Sequence, residues 1–277
     1  MKLGGPVFEK YITPEEWVKL VKKEGYKAAY SPVGPDCPDE IIEEYRKIAI
    51  KEEIIIAEVG AWSNPLSYDE EERKKAIEKC KRSLYLAEKI GAMCCVNISG
   101  SRGKKWDGPD KKNLTEETFD MIVEIVREII DEVKPVNTYY TLETMPWMYP
   151  DSADSYLKLI KAIDRKSFAV HFDPVNLINS PEKYFFNDIL IKDFVKKLGS
   201  YIKSCHAKDI IIEEKLTLHL NETRPGLGIL DYRTLLKELN KLDKNLPLML
   251  EHLSSKEEYK KAKEYIEKIA HKEGIEL

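Results

Sequence analysis

Short apolar runs alternate with amphipathic stretches from one end of the chain to the other. Runs of strand character fall at 3–8, 26–30 (YKAAY), 54–59 (IIIAEV), 92–98 (AMCCVNI), 137–143 (NTYYTLE), 168–173, 200–206 and 246–251 (LPLMLE). Between them, apolar residues recur at helical spacing over 14–24, 38–52, 69–90, 115–134, 152–163, 181–198, 231–242 and 255–273. Helix starts carry their own signals: Thr115 before Glu116 and Glu117, Asp231 before YRTLLKEL, and Ser255 before KEEY. No linker, low-complexity tract or shift of composition interrupts the alternation, so residues 1–277 read as one domain.

Eight strands alternating with eight helices define an α/β protein with two available architectures, an open doubly wound sheet or a closed (β/α)8 TIM barrel. A dinucleotide-type open sheet wants a glycine fingerprint after an early strand. The only early glycine-dense piece, GGPV at 4–7, runs on into Phe8 and Glu9 instead. The strand count, and a length near the roughly 250 residues of a typical barrel, predict the barrel.

Charge narrows the partners. Forty-five Lys and Arg are mixed with 49 Asp and Glu for a net charge of −4, leaving no basic surface for nucleic acid to dominate. No apolar run reaches the roughly 18 residues of a membrane span, and the segment after Met1 lacks a secretory apolar core. Five cysteines (37, 80, 94, 95 and 205) form no CxxC pair. An odd number without a leader predicts reduced thiols in a cytoplasmic protein.

The chemistry sits where the strands stop. In SFAVHFDPVNLINSP, residues 167–181, alternation puts His171 and Asp173 on one face before Pro174 ends the strand. The other strands finish similarly, in Glu143, His206 and Glu251, with Glu58 and Asn97 at the third and fourth. Catalytic groups of a (β/α)8 barrel lie at these carboxyl ends. Three converging carboxylates at about 4 Å repel by roughly 4 kcal/mol per pair at an effective dielectric near 20. They therefore hold protons or a cation. With the imidazole of His206, the donor set suits Mn²⁺, Mg²⁺ or Co²⁺, Mn²⁺ first, and leaves Zn²⁺ open. His171, one layer deeper, is expected to orient Asp173.

The ordered set LET, HFDPVN, SCHAKD and LEHL resembles the xylose-isomerase-like barrel superfamily of sugar epimerases, hydroxypyruvate isomerases, inosose dehydratases and an apurinic endonuclease. The resemblance spans nearly the whole chain. It implies that Glu143, Asp173, His206 and Glu251 bind one divalent metal ion, and that EVGAWSNPL and RPGLGILDY form substrate-facing loops. It departs from the pattern at Asn97 and Asn176 and in having only five histidines, which argues against the three-metal cluster of the endonuclease relatives. Some epimerases carry a histidine where Asn176 stands.

The function so implied is a metal-dependent isomerase or epimerase of a sugar or keto-sugar, with Glu143 and Glu251 as the acid–base pair on an enediolate. Dehydration by the same enolate is the alternative, ahead of an abasic-site endonuclease or a non-catalytic sugar-binding subunit. Arg224, Lys208, Asn64, Asn176 and Glu58 are candidate substrate contacts, and Trp62, Trp147 and Met148 candidate apolar walls. SRGKKWDGP at 101–109 reads as a lid, and His252 as packing outside the barrel. Barrels of this kind often pair, which leaves a homo-oligomer open.

Overall fold

Each of the eight apolar runs supplies a strand to one parallel sheet in the computed structural model, which describes residues 1–277. In chain order these are β1 (Lys2–Gly5), β2 (Ala28–Ala29), β3 (Ile55–Ile56), β4 (Glu58–Gly60), β5 (Cys94–Asn97), β6 (Tyr140–Glu143), β7 (Phe168–Phe172), β8 (Ile202–Ala207) and, after a hairpin, β11 (Pro247–Leu250). The sheet order is β3-β2-β1-β11-β8-β7-β6-β5-β4. Its two ends, β3 and β4, are halves of one strand joined at Ala57. Ala57 N donates to Ala29 O at 2.8 Å, and Cys94 N donates to Ala57 O at 3.3 Å, so the strand bonds to both neighbours and the ring closes. Eight staves make the barrel; the protein is an α/β TIM barrel.

The helices form the outer layer: α1 (Pro14–Glu24), α2 (Asp39–Lys51), α3 (Glu70–Ile90), α4 (Glu116–Val133), α5 (Ala153–Ile163), α6 (Pro181–Phe185), α7 (Asn187–Leu198), α8 (Tyr232–Leu239) and α9 (Lys256–Lys272). The expected caps act as such. The side chains of Thr115, Asp231 and Ser255 accept from the backbone N–H of Thr118, Thr234 and Glu258. The apolar helix faces and the outward strand residues merge into one core of 61 buried residues. Met249, Ala28 and Ala57 form a smaller cluster apart from it. No helix is long and apolar enough to cross a membrane.

The structure departs from the sequence reading in four places. The first strand stops at Gly5, because Pro6 has no N–H to offer a ladder. The helix expected over 181–198 breaks at Phe186, and Asn187 pins the break: its Nδ2 donates to Tyr184 O at 2.8 Å and Ile229 O at 3.3 Å. The helix expected over 231–242 ends at Leu239. Finally, β9 (Asp209–Glu213) and β10 (His219–Thr223) form an antiparallel hairpin between β8 and α8 that the sequence reading left unassigned.

One hydroxyl couples three elements. Tyr156 on α5 donates to Leu142 O at 2.6 Å on β6 and lies 2.9 Å from Ala169 O on β7, while accepting from Leu142 N at 3.1 Å. The ring is fully buried. Replacing Tyr156 by Phe strands these backbone groups without water and is expected to cost about 1–3 kcal/mol, read as a lower urea midpoint at unchanged m. An unshifted midpoint would show that the hydroxyl does not hold β6 to β7.

Candidate active site

The register of the staves brings the strand-end polar residues to one floor. Glu143 ends β6; Asp173 follows β7 and Glu251 follows β11; His206 and Lys208 alternate inward along and just beyond β8. Single ligand atoms of Glu143, Asp173, His206 and Glu251 all lie within 4.8 Å of one another. His206 Nδ1 is 2.8 Å from Glu251 Oε1, 3.1 Å from Glu143 Oε1 and 3.7 Å from Asp173 Oδ2.

Local contacts aim each carboxylate. Asp173 Oδ1 accepts from Val175 N at 2.9 Å and Asn176 N at 3.2 Å, capping the turn begun by Pro174 and leaving Oδ2 to the floor. Thr144 Oγ1 donates to Asp173 O at 2.9 Å, locking the ends of β6 and β7 together. Asn176 Nδ2 donates to Glu143 Oε1 at 3.1 Å. Asn176, expected as a substrate contact, therefore also holds a member of the cluster, while still lining the cavity above.

Lys208 changes the electrostatic picture. Its buried ammonium lies 2.5 Å from Glu251 Oε1, 2.8 Å from Asp173 Oδ2 and 3.8 Å from Glu143 Oε1. It is a member of the charge cluster rather than a free arm reaching for substrate. Burial opposes its charge, but Asp173, Glu143 and Glu251 outweigh that and hold its pKa well above the usual lysine value. Burial raises Glu143 to about 7, against the pull of Lys208 and His206. Burial also opposes ionisation of Glu251, yet His206 and Lys208 hold it at about 2. Asp173, under the same opposition, is kept well below the normal range chiefly by Lys208.

Beneath this floor lies a second layer. Glu58 is buried with Oε1 3.3 Å from His206 Nε2, and Ser204 Oγ donates to its Oε2 at 2.8 Å. Glu58 thus reaches the cavity from below, holding His206, where the sequence reading had it as a substrate contact. His171 does not bond Asp173 as expected; its Nδ1 is 3.5 Å from Glu58 Oε2 and its ring centroid 4.0 Å from that of His206. Burial and the charge of His206 push His171 down to about 3, so it is a neutral ring. Burial disfavours charge on His206 too, but Glu251, Glu58 and Glu143 raise its pKa well above the ordinary value. Protonated, it donates from both nitrogens, one to each layer.

A cavity of about 630 Å³ opens above the floor, bounded by Tyr30, Trp62, Trp106, Met145, Trp147 and Tyr259 among others. Several expected contacts lie elsewhere. Arg224 is turned outward, donating to Glu258 Oε2 at 2.8 Å and Pro225 O at 2.9 Å. The reason is Asp209, whose carboxylate accepts from Ile210, Gly226, Gly228 and Leu230 N at 2.9–3.1 Å and so fixes the RPGLG loop. A Cβ at Gly228 would stand 2.3 Å from Asp209 Oδ1. Asn64 is consumed in bonds to Ser101 and Leu66, and Met148 is buried. His252 lines the mouth rather than the outside, 3.2 Å from Glu222 Oε1. Sequence reasoning missed Tyr30, which closes the second apolar run, and Glu222 and Tyr259, which reach the cavity from β10 and α9.

A sequence model described as the xylose isomerase-like TIM barrel matches residues 18–269. The chain belongs to this family. Within the same fold, D-psicose 3-epimerase from Clostridium cellulolyticum superposes with a TM-score of 0.69 at 15% identity, over 97% of this chain and 99% of its own. The probable 3-DHS dehydratase AsbF from Bacillus anthracis gives 0.69 at 16%, over 96% and 98%. Endonuclease IV from Thermus thermophilus gives 0.72 at 11%, over 98% and 100%. No curated protein matches the sequence. At these identities the likeness fixes the fold, and three chemistries share it.

The family implies a divalent ion, and the residues present fit one. Asp173 Oδ2 and Glu251 Oε1 are buried, take no hydrogen bond of good geometry, and face the Lys208 ammonium. Three carboxylates and one imidazole nitrogen converge, and the ammonium of Lys208 brings their charge to −2, which a divalent ion would cancel. Coupling of His206 to Glu58 sets the prediction. Changing Glu58 to Gln is expected to weaken Mn²⁺ binding by about 10–100-fold in calorimetry, with an unchanged circular dichroism spectrum. Wild-type affinity in this variant would remove Glu58 from that role. Against burial, Glu251, Glu58 and Glu143 hold the His206 proton well above the ordinary histidine range, and that proton must leave Nδ1 before the nitrogen acts as a ligand. Mn²⁺ affinity is therefore expected to go on rising with pH beyond the range in which a free histidine titrates; affinity that levels off within that range would show that His206 is not among the ligands.

Proposed function

We propose that this protein is a divalent-metal-dependent isomerase or epimerase of a sugar or keto-sugar, acting by proton transfer next to a carbonyl. The observation that carries the reading is the convergence of Glu143, Asp173, His206 and Glu251 within 4.8 Å on the floor of the cavity. A Mn²⁺ or Mg²⁺ ion held by these four residues would supply Lewis acidity that makes the adjacent C–H bond acidic. The sugar epimerase among the structural relatives supports the substrate class.

Glu143 and Glu251 are the proton carriers. β7 and β8 lie between their strands in the ring, so the two carboxylates approach a bound substrate from two sides. One of the two takes the proton from one face of the substrate carbon. The other returns one to the opposite face. The Lys208 ammonium beside both stabilises negative charge on the substrate oxygen as the proton leaves. The same ammonium favours a second reading: it is placed to protonate a departing β-hydroxyl, which would make the protein a dehydratase. Asn97 points away from the cluster, donating to Ser63 Oγ and Cys80 Sγ, which lends the three-metal endonuclease arrangement no support. A cytoplasmic location accords with five free cysteines.

The test is solvent deuterium entering the carbon beside the carbonyl of a ketose, with metal content measured in parallel. About one Mn²⁺ or Mg²⁺ per chain, and deuterium uptake lost by at least about 10²-fold in Glu143→Gln and in Glu251→Gln, are the expected results. Turnover without deuterium uptake would mean hydride transfer; an unsaturated product absorbing in the near ultraviolet would mean dehydration. Unimpaired rates in either variant would end these assignments.

A further inference from the structure

Three of the four tryptophans stand at the mouth of the cavity. The fourth shows what the fold does with an indole it needs for itself. Trp17 is 1% exposed and packs edge-to-face on Tyr45 at 5.8 Å. Trp62, Trp106 and Trp147 are 37%, 39% and 38% exposed, and none rests on another aromatic ring. Large apolar faces left bare around one opening mark a surface that expects a ligand.

The faces are held in place. Trp147 Nε1 donates to Asp107 O at 2.8 Å, and Asn113 Nδ2 donates to Trp147 O at 3.3 Å, so the loop after β6 is stitched to the loop carrying Trp106. Lys79 Nζ donates to Trp62 O at 2.9 Å. The indole of Trp62 lies over Gly60, where an added Cβ would stand 2.4 Å from Nε1. The absence of a side chain at residue 60 therefore sets where that ring sits. The opening also lacks a phosphate clamp. No arginine lines it, Lys105 is paired with Asp107 at 3.1 Å, and Lys208 is engaged by Asp173 and Glu251. Glu58, Glu143, Glu222 and Glu251 face the same space and would repel a phosphate. At about 630 Å³ the cavity falls within the roughly 300–1,000 Å³ that encloses drug-sized ligands, well beyond a single hexose.

We propose that Trp62, Trp106 and Trp147 form a second subsite for an uncharged sugar ring, glycosidically linked to the residue that reacts over Glu143 and Glu251. The substrate class is then an unphosphorylated glycosyl-ketose rather than a sugar phosphate or a free monosaccharide. The C–H face of a pyranose ring covers indole surface, and the N–H groups of Trp62 and Trp106, unclaimed by the protein, meet its hydroxyls. This rests on the sugar-isomerase reading of the floor below.

The test uses the full chain with added Mn²⁺ and four sugars: D-fructose, D-fructose 6-phosphate, and the differently linked glycosyl-fructoses isomaltulose and lactulose. Binding is read by tryptophan emission and chemistry by deuterium uptake. At least one disaccharide is expected to bind about 30-fold tighter than D-fructose, the scale of an aromatic anchor, with the phosphate no better than D-fructose. Trp106→Ala and Gly60→Ala are each expected to remove most of that preference. Tightest binding by the phosphate, or equal binding of mono- and disaccharides, overturns the subsite. Deuterium uptake without disaccharide preference overturns the subsite and leaves the isomerase reading standing. A tryptophan-dependent disaccharide preference with no uptake into any sugar does the reverse.

Discussion

The site depends on one constraint: several carboxylates are packed into a barrel floor that water barely reaches, and their charge must be answered there. Lys208 and the doubly donating His206 supply that answer from β8 and the residue beyond it, between the strands that bring Glu143, Asp173 and Glu251. They offset part of that charge, and a divalent ion would offset the rest. The compensation also divides the carboxylates. Glu143, farthest from the ammonium, is drawn toward neutrality by burial, while Asp173 and Glu251 remain ionised.

Much of this was legible because a barrel converts sequence order into geometry. Once alternation predicts eight β/α units, the last inward residue of each strand has a known destination, so Glu143, Asp173, His206 and Glu251 could be read without coordinates. The helix caps at Thr115, Asp231 and Ser255 were equally readable, being local by nature. What failed were inferences about where a long side chain ends. Arg224 reads as a substrate contact in the RPGLGILDY loop, but Gly226 and Gly228 of that loop bind Asp209, and the arginine is left facing α9. Lys208 was taken for a free arm because nothing in the sequence says that the carboxylates of three other strands surround it.

Some signals were present and unread. Ile210, Ile211 and Ile212 form a β-branched run as a strand does, which would have announced β9 and, through its hairpin with β10, Glu222 at the cavity. Glu58 illustrates a different limit. It follows Ala57, which packs with Ala28 and Met249, and it lines the cavity itself, so two consecutive residues face inward where β3 passes into β4. Strict alternation cannot describe a residue at such a break.

The stitching of Trp147 to Asp107 and Asn113 has a consequence for how the molecule meets its ligand. Two loops from different strands are fixed to each other before anything binds. Little conformational entropy remains to be lost when the opening is filled, so binding energy is not diverted into ordering a lid. Selection then falls to the shape of a standing doorway, with poor fits turned away on arrival rather than after a closing motion.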